Sequence, residues 1–356
     1  MKNILFLVML LTATVTSAQV DTSALSISGF VETYYTFDMN QPDNHTRPAF
    51  LYNYNRHNEV NLNLGYVKAA YAENAVRANL ALMAGTYANA NLAAEPGVLQ
   101  NIYEANAGIR VSRTKNLWLD AGIFSSHIGF ESAHSPSCWT LTRSILAENS
   151  PYYESGVKLS YTSDNQKLFV SGLILNGWQR IQRIDGNNTP AGGYQLTIKP
   201  SDKITFNSSL FVGNNFPDNV SRIRVFHNFY AILLLHKNIG VIAGFDYGAQ
   251  QIARSSSDYH TWYSPIFILK LTPVEKLSLV GRAEYYNDKD GVIIMTGTPN
   301  GFQTYSYSVN IDYAIAPKAL WRLEGRVFES KDQIFTLDDE PDRQNYFVTS
   351  SIAISF

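Results

Sequence analysis

Apolar and polar residues alternate with a period of two along nearly the whole chain, which predicts half-buried strands and not helices. Leu25, Ile27, Val31, Tyr35 and Phe37 fall on one face, and Ser26, Ser28, Glu32, Thr36 and Asp38 on the other. Val76, Ala78, Leu80 and Leu82 oppose Arg77, Asn79 and Met83; Ala105, Ala107, Ile109 and Val111 oppose Glu104, Asn106, Arg110 and Ser112. Further on, Leu277, Leu279, Ala283 and Tyr285 oppose Ser278, Arg282, Glu284 and Asp288. Tyr305 to Tyr313 and Ala319 to Val327 repeat the pattern. In 167–178 and 222–236 both faces are so apolar that alternation leaves the register open.

A soluble sandwich also alternates, so length and connections must decide. The segments run about 10 residues, the span of a tilted membrane-crossing strand. The connections alternate between short and long. The short ones are Ala72–Ala75, Arg113–Asn116, Ser163–Gln166, Pro200–Lys203, His236–Asn238, Thr272–Lys276 and Ile315–Lys318. The long ones are 39–58, 88–101, 125–152, 179–191, 214–222, 251–261, 287–302 and 331–345. Short turns at one end and long loops at the other are the pattern of outer-membrane barrels. Seven turns and eight loops join sixteen strands, and an even number returns the last strand to the first. The predicted fold is therefore all-β: a closed antiparallel transmembrane barrel with short periplasmic turns and long extracellular loops.

The two ends agree with export to that membrane. Met1-Lys2-Asn3, the apolar stretch Ile4 to Val15 and the small residues Thr16-Ser17-Ala18 read as a cleaved signal peptide over 1–18, leaving 19–356 as the barrel. In the last segment Tyr346, Val348, Ile352, Ile354 and Phe356 share a face. A terminal strand ending in Phe356 looks like the signal read by the barrel-assembly machinery. Tyr and Trp near strand ends would form interfacial girdles, and Lys68, Lys199 and Lys270 are placed to snorkel to headgroups.

Composition narrows the alternatives. Tyr (22) and Phe (19) are abundant while charged residues make up only 16%, and no apolar run in the mature part approaches the length of a membrane helix, a combination that fits either a large soluble β-sandwich or propeller or a barrel in lipid. The net charge of −2 argues against a nucleic-acid partner. Cys138 is the only cysteine, so no intrachain disulfide forms.

The polar face would line a water-filled lumen. It carries Glu32, Arg77, Glu104, Arg110, Asp120, Lys158, Asp246, Arg282, Glu284, Arg322, Glu324 and Arg326. So many charges are prohibitive in a dry core and cheap against water. They either select solutes or merely pair across strands. The mixture of signs predicts weak charge selectivity at most. The loop 125–152 is the longest connection and the third long one, the position at which general porins fold a loop inward. It is expected to narrow the pore, with Glu131, Arg143 and Glu148 at the constriction. Trp118, Phe124 and Trp178 could stack on sugars in a substrate-selective channel.

Other readings are weaker. His127, Glu131, His134 and Cys138 are metal-ligand types, but their spacing fits no signature. Asp338, Asp339, Glu340 and Asp342 could bind divalent ions that bridge lipopolysaccharide; a solvated acidic loop is the plainer reading. His227 and His260, with Asp258 and Ser257, have no triad order. A plugged receptor would need a folded domain before the first strand. A structural or adhesive barrel also stays open.

Several segments resemble the OmpL-like β-barrel porins: Leu175-Asn176-Gly177-Trp178-Gln179, Gly129-Phe130-Glu131, Tyr153 to Val157, and Arg322-Leu323-Glu324-Gly325-Arg326. The resemblance spans nearly all of the mature chain. It implies a transmembrane barrel with porin activity and no catalytic residues. The expected function is passive diffusion of small hydrophilic solutes and ions, with no cofactor. Lipid and lipopolysaccharide surround the barrel, and a homotrimer is possible. The alternative is a channel selective for sugars or organic acids.

Overall fold

A computed structural model describes residues 24–356. The leader expected over 1–18 lies outside them. The strands are β1 (Leu25–Asp38), β2 (Val60–Glu73), β3 (Val76–Ala84), β4 (Ile102–Arg110), β5 (Asn116–Ser125), β6 (Tyr153–Thr162), β7 (Leu168–Leu175) and β8 (Ala191–Ser201). They continue as β9 (Ile204–Asn214), β10 (Ile223–His236), β11 (Ile239–Gln251), β12 (Tyr259–Val274), β13 (Leu277–Asp288), β14 (Phe302–Ala316) and β15 (Ala319–Ser330). A small ribbon, β16 (Phe335–Leu337) with β17 (Glu340–Asp342), precedes β18 (Gln344–Ser355). All but the ribbon form one closed antiparallel barrel of sixteen strands in chain order, with β18 between β15 and β1.

Each strand keeps its apolar side out. On β14 Val309 is 66% exposed while its neighbour Asn310 is fully buried. The outward ring of Val, Ile, Leu, Phe and Tyr would be an aggregation hazard in water; in lipid it is the stable surface. Closure pairs Phe37 with Val348 and Val31 with Ile354, and the Gly29 and Phe356 backbones exchange hydrogen bonds of 2.8 and 3.0 Å. No sheet edge of the barrel is left open.

The turns follow from residues that tolerate positive φ. Asn74 (φ 52°) and Gln166 (φ 56°) turn the chain at the short-turn end. Asp338 (φ 50°) and Asp339 (φ 63°) join β16 to β17, where a two-residue hairpin needs positive φ at both centres. Their place in the acidic run thus has a conformational reason.

The register left open by the sequence is now fixed. On β7, Ser171, Leu173 and Leu175 are buried inside while Val170 and Ile174 face out. On β10, Arg224, Phe226, Asn228 and Tyr230 point in, and Val225 and Phe229 out. Both faces are apolar because the interior here meets packed loops: Leu173, Leu175 and Phe226 share a cluster with Phe50, Ile128 and Trp262. The headgroup role expected for Lys68, Lys199 and Lys270 is corrected: Lys199 lies on the inward face with Thr197, lining a pocket at the short-turn end. Lys68 turns inward to Glu104 at 2.5 Å, and the Lys270 ammonium lies 5.7 Å from the Trp139 ring. An ion pair and a cation–π contact inside hold them more firmly than a water-exposed interface would.

Candidate functional site

The third long loop, 126–152, lies inside the barrel. It has a 3-10 turn at Ser135–Ser137 and a helical turn α1 (Ile145–Glu148), whose cap Ser144 Oγ accepts from the Ala147 amide. Nearly every residue from Thr140 to Tyr152 is buried.

On one side the loop is tied to β9 and β10. His127 Nε2 meets the Leu210 carbonyl at 2.9 Å, Ser209 Oγ donates to the His127 carbonyl at 2.7 Å, and the Gly129 amide donates to Asn228 Oδ1 at 3.1 Å. On the opposite side it meets the charged wall of β13, β14, β15 and β1. The Thr142 amide donates to Glu324 at 2.6 Å and its carbonyl accepts from Arg282 at 2.7 Å. Ile145 donates to Glu284 at 2.7 Å, Arg326 to the Arg143 carbonyl at 2.7 Å, and Arg322 to the Ser135 carbonyl at 2.7 Å. Ser135 Oγ donates to Glu32 at 2.6 Å, and the Leu141 amide to Asn310 at 3.0 Å.

The wall charges also satisfy one another. Arg282 pairs with Glu324 at 2.7 Å, Arg326 with Glu284 at 2.5 Å, and Arg322 with Asp312 at 2.7 Å. The Arg282, Glu284, Arg322, Glu324 and Arg326 side chains are essentially inaccessible to solvent. Burying such charges is tolerable only with partners and hydrogen bonds for the remaining polar atoms; the loop backbone supplies these. The expectation that all inward charges meet water therefore fails on this wall, because a folded segment replaces the water.

The three loop residues singled out from the sequence lie within this packing. Arg143 is fully buried and donates to the carbonyls of Ser132 (2.6 Å), Ala133 (2.9 Å) and Leu141. Glu131 accepts from the Ser144 amide at 3.1 Å and from its hydroxyl. Glu148 accepts from the Tyr52 amide at 3.0 Å and from Asn53 Nδ2 at 3.1 Å, joining the third loop to the first. Burial pushes Glu148 up to about 7 against the pull of Arg143 and these bonds, and raises Glu131 for the same reason. Burial pushes His127 down to about 4.

The wall of β2 to β8 is more open toward the short turns. Lys68 pairs with Glu104 at 2.5 Å, and Arg77 grips Asp120 through two bonds of 2.6 and 2.5 Å while covering the Trp118 ring at 4.3 Å. The Lys158 ammonium lies 4.5 Å from the Phe124 ring, and Arg110 is exposed. Asp246, across the barrel, is buried and accepts from Asn228 at 2.5 Å. A pocket of about 940 Å³ opens at the long-loop end, lined by Asp38, Arg47, Phe50 and Asp339 among others; one of about 280 Å³ at the short-turn end is lined by Thr162, Gln166, Phe169, Thr197 and Lys199.

The ligand-type residues of the loop each have separate partners. His134 Nδ1 meets Tyr66 at 3.2 Å and Cys138 Sγ lies 3.3 Å from the Ser132 amide. Among the described residues no three His, Cys, Asp or Glu side chains are grouped to hold a metal. His227 bonds Ser208 at 2.8 Å and His260 pairs with Asp290 at 3.1 Å.

Sequence reasoning passed over three anchors. Glu95 is buried and accepts from the Ile181 and Gln182 amides at 2.8 and 3.1 Å. Arg47 is held by Asp38 at 3.4 Å with its guanidinium 3.7 Å from the Phe347 ring. Arg224 lies 5.0 Å from Trp178. Glu95 and Arg47 sit in loops, which have no period to mark which side chains turn inward. The Asn176–Gln179 segment proves to be a brace: Gln179 accepts from the Tyr152 amide at 2.8 Å and donates to Asn91 at 2.6 Å.

Residues 24–356 match the family described as "Putative beta-barrel porin-2, OmpL-like". No curated protein matches the chain. Solved structures share the fold at low identity. The outer-membrane channel DcaP of Acinetobacter baumannii is 10% identical, with TM-score 0.59 over 93% of this chain and 97% of that one. OmpF of Salmonella typhi is 9% identical, with TM-score 0.60 over 93% and 97%. In-vitro folded OmpT of Vibrio cholerae, in trimer form, is 8% identical, with TM-score 0.56 over 93% and 99%. With the sealed barrel, its apolar exterior and its inward loop, the family match settles the class: the chain belongs to the OmpL-like β-barrel porin family and is a porin of the bacterial outer membrane.

Proposed function

We propose that this porin passes small hydrophilic solutes and ions by passive diffusion, through a passage whose width the loop 126–152 sets. The observation that carries this reading is the clamp of buried charges holding the loop across the lumen. Under it, Glu131, Arg143 and Glu148 keep the loop's shape, and solutes move beside the loop along the β2–β8 wall. Arg77, Glu104, Arg110, Asp120 and Lys158 on that wall line the path. Glu32, Arg282, Glu284, Arg322, Glu324 and Arg326 position the loop instead.

A sugar-selective channel is less favoured, since the rings that would stack on sugars are already covered. Trp118 carries Arg77, Phe124 carries Lys158, and Trp178 packs edge-on against Phe211 and Phe226. An enzymatic role is not part of the reading, and neither is a cofactor. The long loops meet lipopolysaccharide, and Phe356 marks the last strand for the assembly machinery. A homotrimer fits the reading, as the trimer form of OmpT has the same fold at 8% identity.

Reconstitution into planar bilayers tests the proposal. Discrete current steps should appear, and deletion of 130–146 should enlarge them. A silent bilayer, or steps of unchanged size, overturns it.

A further inference from the structure

We infer that the periplasmic half of the lumen is a basic basin that draws in small anions, so that the porin prefers anions to cations. The inference rests on the porin reading and names the class of solute favoured. Over the described inward face the charges nearly balance, but they are not evenly presented to water. Glu284, Glu324 and Asp312 are spent on Arg326, Arg282 and Arg322 behind the loop. On the more open wall the two acids nearest the short turns, Glu104 and Asp120, are also committed, and a third, Glu154, lies fully buried at the long-loop end of β6, away from the basin's water. Glu104 is held by Lys68 at 2.5 Å.

Asp120 is the more telling case. It faces Lys158 directly across the β5–β6 pair, yet both its oxygens turn to Arg77. The Lys158 ammonium is left over the Phe124 ring. Arg110, Lys158, Lys199 and Lys270 make no ion pair among the described residues; Arg110 and Lys199 are exposed, and the other two half-buried. All four occupy inward positions: Arg110 opposite Trp118, Lys158 opposite Asp120, Lys270 opposite Gly240, and Lys199 beside the periplasmic pocket. The basin therefore holds four cations in excess of its acids.

Charges inside a low-dielectric wall focus their field into the water they surround. The acids of the outer mouth, Asp43, Asp338 and Asp339, lie on exposed loops instead. Salt screens them beyond about 10 Å at 0.1 M. The inner cations therefore set the sign. Carboxylates and phosphates of small size suit the basin, with ammonium or guanidinium groups as partners.

The test is the reversal potential of the full protein in a planar bilayer under a KCl gradient. At 0.1 M its sign should show chloride passing faster than potassium, and the preference should shrink at 1 M. The triple variant Arg110→Gln, Lys158→Gln, Lys199→Gln should lower the chloride-to-potassium permeability ratio by about threefold or more, the scale of effect expected from a focused field. Cation preference in the unmodified protein overturns the inference, as does an unchanged ratio in a variant that still migrates as a folded barrel. If the variant does not fold, the salt dependence of the unmodified protein decides alone: a preference equal at both concentrations overturns it. Current steps without anion preference sink this inference and leave the porin reading standing; silence sinks both.

Discussion

Arg282 and Glu324 meet at 2.7 Å across the intervening strand β14, and both grip the same loop residue, Thr142, one at its carbonyl and the other at its amide. Two strands and a loop thus converge on one residue, through the two peptide groups that flank it. Glu324→Gln takes from Arg282 its nearer carboxylate and leaves Glu284 at 3.3 Å; removing one member of a buried pair costs at most about 3–5 kcal/mol when a second partner remains. The loop should loosen. Single-channel recordings should show larger or noisier steps than the unmodified protein, while the heat-resistant barrel band on gels persists. Steps of identical size and noise would show that the clamp does not hold the loop.

The seating of the loop should depend on pH. Burial raises Glu148 from its ordinary 4.5 to about 7, so the seated loop binds the proton more tightly than a released one. The stabilisation this gives is complete below the ordinary value and is lost as pH rises through about 7. Glu131 is shifted in the same direction. Channels recorded at pH 8 should open wider or more often than at pH 5. Glu148→Gln should flatten that dependence, since Gln resembles the protonated acid. A pH profile identical to that of the unmodified protein would refute the assignment.

Gly122 faces Gly156 across β5 and β6 and has φ +124°, a conformation that side chains rarely adopt. A Cβ there would lie 2.3 Å from the Ala105 carbonyl oxygen, and backbone cannot step aside as a side chain can. Gly122→Val should destabilise the barrel by about 1–3 kcal/mol. Urea unfolding in vesicles would register the loss; an unchanged midpoint would count against the strand geometry described here.

The outward surface makes its own prediction. Val309 lies at the middle of β14 and is 66% exposed. Arg in its place should cost about 2–4 kcal/mol if the position faces the hydrocarbon midplane. The same unfolding assay measures it. A neutral result would mean that this face does not contact lipid.

The strand ends were legible because turn chemistry and alternation are local. The short turns expected at 72–75 and 163–166 fall where β2 gives way to β3 and β6 to β7, at Asn74 and Gln166. The inward direction of Glu32, Arg77 and Glu324 was equally plain, since each is the polar member of an alternating pair. The position of Lys68 was misread because a lysine near a turn has two good destinations, headgroups and lumen. Only the facing Glu104 on β4 decides between them.

What the sequence determined by itself was the barrel: strand number, the alternation of turns and loops, and, outside 167–178 and 222–236, which side of each strand meets hydrocarbon. Each depends on the environment of one residue and its neighbours two away, which a repeat of period two records. What only the tertiary structure decided was the path of the loop 126–152 and the fate of the charges it covers. Thr142 and Glu324 lie 182 positions apart, and Ile145 and Glu284 lie 139 apart. No periodicity joins such pairs. Whether an inward carboxylate meets water or a loop amide depends on how the closed cylinder is filled, and the individual strand carries no record of that.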